Sequence, residues 1–127
     1  MKVIKSAVSN YNGKLFFKTG ENTSSGSITE VNTGLEVLSI TVDKFVQTFK
    51  HPPNFMKIDV EGAEAWVLLG SLNTIKEYLP KIFIAIHNSE AYEECKKIFD
   101  NVNYKLVSTG ENKETVGEYV AIYNEFL

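Results

Sequence analysis

The first forty residues carry short apolar runs separated by polar turns, a pattern typical of β-strands. Residues 3–8 and 14–18 predict two strands, and residues 10–13, with two asparagines and a glycine, predict a tight turn that joins them as a hairpin. Residues 20–34 are rich in Ser, Thr, Asn and Gly and predict a long loop. Residues 37–40 predict another short strand.

A short amphipathic helix is predicted next. Thr41 offers a side-chain oxygen that can cap the first helical turn. Apolar residues then recur at the i, i+3, i+4 and i+7 spacing of one helix face, at Val42, Phe45, Val46 and Phe49. Two prolines, Pro52 and Pro53, are expected to end the helix.

From residue 55 onward, strands and helices alternate. The predicted order begins with a strand at 55–60 and a helical segment at 62–69 and 71–79, expected as one helix that is kinked or broken near Gly70. A strand at 82–86, a helix at 90–101, and strands at 104–108 and 119–123 that form an antiparallel hairpin follow. Residues 82–86 are five consecutive apolar residues, which is typical of a parallel strand buried on both faces. The alternation predicts an α/β fold with a mostly parallel sheet.

Polar side chains follow two consecutive strands of this sheet at their carboxyl ends. In the segment KIDVEGAE, Asp59 ends the first strand and Glu61 and Glu64 follow it, while His87 and Asn88 follow the second strand. Ligand sites of such sheets lie at these ends, so we expect Asp59 and His87 to face each other across one crevice. A carboxylate beside an imidazole suits acid–base chemistry or half of a metal site. The structural alternative is that the two glutamates stabilise the helix dipole and that the histidine bonds a backbone carbonyl.

Composition narrows the classes of function. With 127 residues, 43% of them hydrophobic, the chain is expected to form one compact domain. The formal charge is −3 and all 13 basic residues are lysine, which argues against a nucleic-acid partner. Cys95 is the single cysteine, predicted to be a small buried hydrophobe, and a chain with no internal disulfide fits a reducing, cytoplasmic location. No apolar run approaches the roughly 18 to 20 residues that span a bilayer, so no membrane partner is expected.

The segment PPNFMKIDVEGAEAWVLLGS, residues 52–71, resembles the signature of the FkbM-type methyltransferases, which use S-adenosylmethionine on a Rossmann-like sheet. The resemblance extends upstream to residues 40–45 and 25–27, and downstream to the strand that ends in His87. It implies that His87 and Asp59 act in catalysis and that Asp59 also contacts the cofactor, S-adenosylmethionine. We further expect four residues, Ser25, Glu61, Glu64 and Asn88, to bind a small-molecule acceptor. For Glu61 the alternative ligand is a divalent ion, although the sequence does not specifically indicate a metal.

Two departures from the family pattern matter. The family usually has an acid two residues before the histidine, where this chain has Ala85. A complete enzyme of this kind would also begin with a strand, a glycine-rich turn and a helix for the methionine end of the cofactor, then a strand whose terminal acid binds the ribose. The eight glycines of this chain form no GxG. We therefore expect a partial Rossmann-like sheet that lacks the first strands and corresponds to the carboxyl-terminal portion of the enzyme.

These expectations lead to two functions of different classes. The first is O-methyl transfer to a hydroxyl of a sugar or another small metabolite, by a chain that either works with a separate amino-terminal partner chain, which supplies the cofactor cradle, or no longer works. The second is a non-catalytic α/β module that binds a partner chain, or a second copy of itself, through the unpaired edge of the 55–60 strand. A metal-dependent hydrolase that uses Asp59, Glu61 and His87 ranks last, because the sequence offers no further ligands for the ion.

Overall fold

The computed structural model describes residues 1–19, 26–29, 35–110 and 115–127. Within these ranges the fold is mixed α/β, with two four-stranded sheets and four α-helices. The strands are β1 (Ala7–Val8), β2 (Gly13–Thr19), β3 (Gly26–Thr29), β4 (Leu35–Ile40), β5 (Phe55–Ile58), β6 (Lys81–Ile86), β7 (Tyr104–Ser108) and β8 (Gly117–Tyr123). The helices are α1 (Val42–Phe49), α2 (Glu64–Leu69), α3 (Leu72–Tyr78) and α4 (Ser89–Asn101), and a 3₁₀ turn, Asn124–Phe126, follows β8. None of the described helices is long and apolar enough to cross a bilayer.

The first sheet has the strand order β1-β4-β2-β3, so the predicted hairpin between residues 3–8 and 14–18 is wrong. β1 runs parallel to β4, and β2 runs antiparallel to the other edge of β4, which places the predicted partners on opposite sides of one strand. The turn between β1 and β2 forms hydrogen bonds to β4 and to the residue that follows β4. Ser9 Oγ lies 2.7 Å from Ser39 Oγ, and the Thr41 N–H donates to the Asn12 side-chain oxygen at 2.9 Å. The chain therefore passes around the end of β4 instead of folding back on itself.

The predicted loop at residues 20–34 contains a strand, so this prediction is wrong in part. β3 pairs antiparallel with β2 over four residue pairs, from Phe16↔Thr29 to Thr19↔Gly26. Its sequence, GSIT, is not typical of a strand, but an edge strand is held by backbone hydrogen bonds, which do not depend on the side chains. Residues 20–25 and 30–34 lie outside the described part of the chain.

Helix α1 is confirmed, together with the capping residue that the sequence indicated. The Thr41 Oγ1 atom accepts a hydrogen bond from the Lys44 N–H at 3.0 Å, and Val46 is buried on the apolar face. Lys50 ends the helix in the left-handed conformation, with a φ of 57°, two residues before Pro52. The helix connects the first sheet to the second.

The second sheet has the strand order β5-β6-β8-β7 and carries the strand ends that the sequence singled out. β5 and β6 are parallel, β8 is antiparallel to β6, and β7 and β8 form the predicted hairpin. Over both sheets, two of the six described strand pairings are parallel, β1 with β4 and β5 with β6, so the prediction of a mostly parallel sheet is wrong. Among the described strands, β5 has a neighbour on one side only.

The described residues cover one face of the second sheet and leave the other face open. Residues of helices α2, α3 and α4 form one hydrophobic core together with the side chains on the covered face of the sheet. That face carries Met56, Ile58, Ile82, Ile84 and Ile86. Strand β6 was predicted to be buried on both faces, but its side chains alternate, with Ile84 2% exposed and Phe83 43% exposed. An apolar run does not distinguish a strand covered on both faces from one whose open face is also apolar. On that open face the rings of Phe83 and Phe55 lie 6.4 Å apart.

Helices α2 and α3 are separate and meet at Gly70, where the sequence predicted one helix that is kinked or broken. A Cβ at this position would overlap the backbone oxygen of Ser9, so the turn after β1 approaches the helices more closely here than a side chain would allow. The Asp43 N–H donates to the Gly70 oxygen at 2.9 Å. The Asp43 carboxylate accepts from the backbone N–H groups of Asn73, at 3.1 Å, and Thr74, at 2.8 Å. A residue of α1 therefore caps the amino terminus of α3.

Candidate functional site

The carboxyl ends of the parallel strands β5 and β6 lie side by side, and the predicted site residues follow them. Asp59 comes directly after β5, and His87 comes directly after β6. The His87 Nε2 atom is 3.4 Å from the Asp59 Oδ1 atom. The structure thus brings together the two side chains that the sequence placed at one crevice.

A tight turn between β5 and α2 brings a second exposed carboxylate to the same ring. Glu61 and Gly62 adopt positive φ values of 50° and 99°, a conformation that favours glycine and that reverses the chain before α2 begins. The Glu61 Oε1 atom lies 3.9 Å from His87 Nε2, and the Glu61 side chain is 60% exposed. We call Asp59 and Glu61, which both face Nε2, the rim of the site.

Glu64 lies on the other side of the imidazole, inside the protein. Its side chain has no exposed surface, and its Oε1 atom is 2.6 Å from His87 Nδ1. The same oxygen accepts a hydrogen bond from the Gly62 N–H at 3.0 Å, whereas Oε2 has no hydrogen-bond partner among the described residues. The sequence suggested either a substrate contact or a surface charge at the helix start for Glu64. Its burial leaves it no surface toward solvent or substrate.

The helical pattern of α2 contains a signal for this burial that sequence reasoning missed. Glu64, Val67 and Leu68 stand at positions i, i+3 and i+4, and all three are buried. An acid on the apolar stripe of a helix needs a partner inside the fold. The partner, His87, lies on a different element, and the pattern of α2 alone does not reveal it.

The surrounding carboxylates raise the pKa of His87 above its ordinary value of 6.5. The largest cause is the hydrogen bond to Glu64; the partial burial of the ring opposes it, and the charges of Glu64, Glu61 and Asp59 raise the pKa further. The protonated ring is therefore stabilised. The neutral ring, which can accept a proton, becomes the major form only above the raised pKa.

Asn88 and Ser25 complete the set of predicted site residues. The Asn88 Oδ1 atom accepts a hydrogen bond from the Ala91 N–H at 2.8 Å and so caps helix α4, a structural role that the sequence analysis did not assign to it. The Asn88 Nδ2 atom faces the turn at Gly62, where an added Cβ would lie 3.8 Å from it. Ser25 lies outside the described residues.

A carboxylate stands next to Ala85, the position at which the family pattern has an acid. Glu118 of β8 is directly opposite Ala85 of β6 in the antiparallel pairing. Side chains of directly opposite residues lie on the same face of a sheet. Both residues line a shallow pocket of about 300 Å³ together with Lys57 and Thr109. An acid that is absent from β6 is therefore present on the neighbouring strand.

Cys95, on α4, has the structural role that the sequence predicted. It is fully buried, and burial, followed by the charges of Glu64 and Glu94, raises the pKa of its thiol to about 12. The thiol is thus protonated near neutral pH and unsuited to nucleophilic attack. Within the described ranges, no group of three or more His, Cys, Asp or Glu side chains is arranged to hold a metal ion.

The geometry defines a class: a mixed α/β protein with an imidazole and carboxylates at the adjacent carboxyl ends of two parallel strands. The sequence profile described as the methyltransferase FkbM domain matches residues 2–117. The chain therefore belongs to the FkbM methyltransferase family, as the KIDVEGAE segment indicated. Searches of curated proteins and of solved structures gave no match.

The family implies a methyl donor, and S-adenosylmethionine is the donor that the resemblance suggests. The residues present do not fit the whole of this molecule. The Asp59 side chain is 51% exposed at the rim, and its carboxylate could bond ribose hydroxyls or face a positive charge. The chain contains no GxG, the sequence that lets backbone amides approach such a cofactor closely. Asp59 is therefore the one residue of the site to which we assign a contact with S-adenosylmethionine.

Proposed function

We propose that this chain forms the acceptor-facing part of an O-methyltransferase site, in which a methyl group from S-adenosylmethionine is transferred to a hydroxyl of a sugar or another small metabolite. Membership of the FkbM family supports methyl transfer. The surroundings of His87 support the further proposal that this residue takes part in the reaction. Its ring has Glu64 at one nitrogen and the exposed rim at the other.

His87 is the proposed base. Its Nε2 atom faces the rim, and its side chain is 31% exposed. A hydroxyl oxygen that gains a methyl group must lose its proton, and an imidazole within hydrogen-bond reach accepts that proton as the new O–C bond forms. S-adenosylmethionine, when bound, supplies an electrophilic methyl group.

The rim carboxylates have two proposed roles. Hydroxyl groups of the acceptor donate hydrogen bonds to Asp59 and Glu61, which orients the reacting oxygen toward Nε2. The same charges stabilise the imidazolium that forms when Nε2 takes the proton. Asp59 is also the residue that would contact the donor.

The remainder of the donor site is proposed to come from another polypeptide segment. The second sheet would then be part of a Rossmann-like sheet that is completed at the outer edge of β5, where no described strand pairs. A strand, glycine-rich turn and helix added at this edge would stand next to Asp59. The chain alone is expected to be inactive. A cytoplasmic location stays a prediction from the single cysteine.

Calorimetry with S-adenosylmethionine tests the proposal. The coding sequence next to Met1 is searched for a glycine-rich strand, turn and helix, and the encoded polypeptide is produced together with this chain. We expect heat of donor binding, and methylation of hydroxyl acceptors, from the pair and from neither part alone. Donor binding by the isolated chain would contradict the need for a second segment, and no binding in any combination would favour the non-catalytic module.

Substitution of the base separates chemistry from donor binding in the same pair. His87→Gln is expected to lower kcat by about 100-fold or more, the usual contribution of a general base, while the affinity for the donor is kept. His51→Gln is the matched control, because His51 is exposed and outside the site. An unchanged kcat in His87→Gln would exclude His87 as the base.

A further inference from the structure

Glu64 differs from the other two carboxylates around His87 in its exposure. The side chains of Asp59 and Glu61 are 51% and 60% exposed, whereas that of Glu64 is 0% exposed. The distance of 2.6 Å between Glu64 Oε1 and His87 Nδ1 is short even for a hydrogen bond between charged groups. Glu64 therefore acts on the ring and not on anything that enters the crevice.

The hydrogen bonds at Glu64 decide which nitrogen of His87 carries a proton. The Gly62 N–H donates to Glu64 Oε1, which identifies this oxygen as an acceptor. When this oxygen also accepts from the ring across the 2.6 Å contact, the proton lies on Nδ1, which is then the donor. In the neutral ring the lone pair is then on Nε2, the nitrogen that faces the rim.

The local backbone and the core hold the carboxylate in this place. The left-handed turn at Glu61 and Gly62 directs the Gly62 N–H back onto Oε1. Glu64 is flanked on α2 by the buried residues Ala65 and Val67. The side chain cannot turn toward solvent without opening the core, so its position relative to the imidazole is fixed.

We propose that Glu64 is a positioning residue, which bonds Nδ1 and so holds the neutral His87 ring in the tautomer whose Nε2 lone pair faces Asp59 and Glu61. The consequence for methyl transfer rests on the proposed role of His87 as the base. A free imidazole favours a proton on Nε2, the arrangement in which that atom cannot accept one. Glu64 reverses this preference without touching donor or acceptor.

Nitrogen-15 NMR of the histidine rings tests this in the isolated chain. The chain has two histidines, and the exposed His51 provides an internal reference. Above the raised pKa of His87, we expect the Nδ1-protonated form as its major neutral tautomer. A major form protonated on Nε2 would overturn the proposal.

Three variants separate the hydrogen bond from the general effect of negative charge. The charged groups that face the ring are Asp59, Glu61 and Glu64. Glu64→Ala removes the acceptor and is expected to shift the ring toward the Nε2-protonated tautomer. Glu64→Gln keeps an acceptor oxygen and is expected to retain the tautomer while the pKa of His87 falls toward 6.5. Glu61→Gln, which removes a charge 3.9 Å from Nε2, is the matched control and should keep the wild-type tautomer.

The variants also cover the case in which Glu64→Ala does not fold. Glu64→Gln has nearly the volume of the native residue, and a His87 titration in this variant identical to that of the wild type would show that the Glu64 carboxylate does not act on the ring and would overturn the proposal. The spectra require neither methyl donor nor acceptor. The positioning role can therefore hold even if methyl transfer is disproved. Methyl transfer with another group as the base can hold if the major neutral tautomer of His87 carries its proton on Nε2.

Discussion

At the scale of single residues, the charge of His87 is set by groups on two neighbouring segments. Glu64 belongs to α2, and Asp59 and Glu61 belong to the turn that precedes it. Each of them favours the protonated ring, so the folded protein binds this proton more tightly than the unfolded chain. The stability of the fold is therefore linked to pH through one side chain.

We predict that His87 stabilises the fold at low pH and that this contribution is lost at higher pH. Because the folded pKa is raised, the contribution is fully present below the unfolded value of about 6.5 and disappears as the pH rises through the folded value. Urea unfolding of the wild type and of His87→Gln between pH 5 and 9 measures it. The difference in free energy of unfolding should be largest below pH 6.5 and decrease with rising pH.

The reference for this measurement is His51→Gln, which removes a histidine outside the site. A difference between wild type and His87→Gln that increases with pH would contradict the expected sign.

At the scale of elements, local patterns predicted local structure and failed where distant segments pair. Helix α1 was predicted because Thr41 and the apolar spacing after it lie within one helix length, and the β7–β8 hairpin was predicted because its strands are close in sequence. The pairing of β1 with β4 was missed because it joins residues that are far apart in the sequence, such as Ala7 and Ser39. The open face of β6 was missed because coverage depends on where other helices pack.

The same distinction applies to the candidate site. The meeting of Asp59 and His87 follows from a general rule on parallel strands, and it could be predicted without knowing any contact. The partnership of Glu64 with His87 could not, because it depends on the rotation of α2 relative to β6. The role of Asn88 as a helix cap is local, and its position before α4 was a usable signal.

The junction of α2 and α3 gives a prediction at this scale. In Gly70→Ala, the added methyl group would overlap the Ser9 oxygen, and backbone does not move aside as a flexible side chain does. We expect the free energy of unfolding to fall by about 1 to 3 kcal/mol, the usual cost of overpacking. Thermal or urea unfolding measures it.

Gly110→Ala is the matched control, because nothing lies within 4 Å of a Cβ built at Gly110. It is expected to change the free energy of unfolding by less than about 0.5 kcal/mol. Equal effects of the two substitutions would show that the close approach at Gly70 is unimportant.

At the scale of the whole molecule, the described residues leave the second sheet open in two directions. One face carries the exposed rings of Phe55 and Phe83, and the outer edge of β5 has no described neighbour. The Lys81 Nζ atom lies 5.8 Å from the centre of the Phe55 ring, so the open face is partly covered by a cation. The edge is the less protected of the two, because its backbone groups can pair with any extended strand.

Hydrogen exchange tests the state of this edge. The Lys81 N–H donates to the Asn54 oxygen at 2.9 Å, so in the parallel pairing Met56 and Ile58 direct their amides toward β6, while Phe55 and Lys57 direct theirs outward. In the isolated chain, the outward amides are expected to exchange roughly tenfold faster or more than the inward ones. NMR-detected exchange measures each amide separately.

Addition of the polypeptide that we propose to complete the donor site should then slow exchange at Phe55 and Lys57 and leave Met56 and Ile58 nearly unchanged. If the outward amides are already protected in the isolated chain, another strand occupies the edge and the proposed docking of a second segment there is wrong.

The cap that Asp43 provides for α3 has a consequence for how the protein assembles. Ser71, at the start of α3, forms no side-chain capping bond of its own, and the seven-residue helix is too short to persist in water unaided. Its first turn is completed only when α1 has docked beside it. The ordering of α3 during folding therefore depends on α1, and we expect a peptide with the sequence of α3 alone to be disordered.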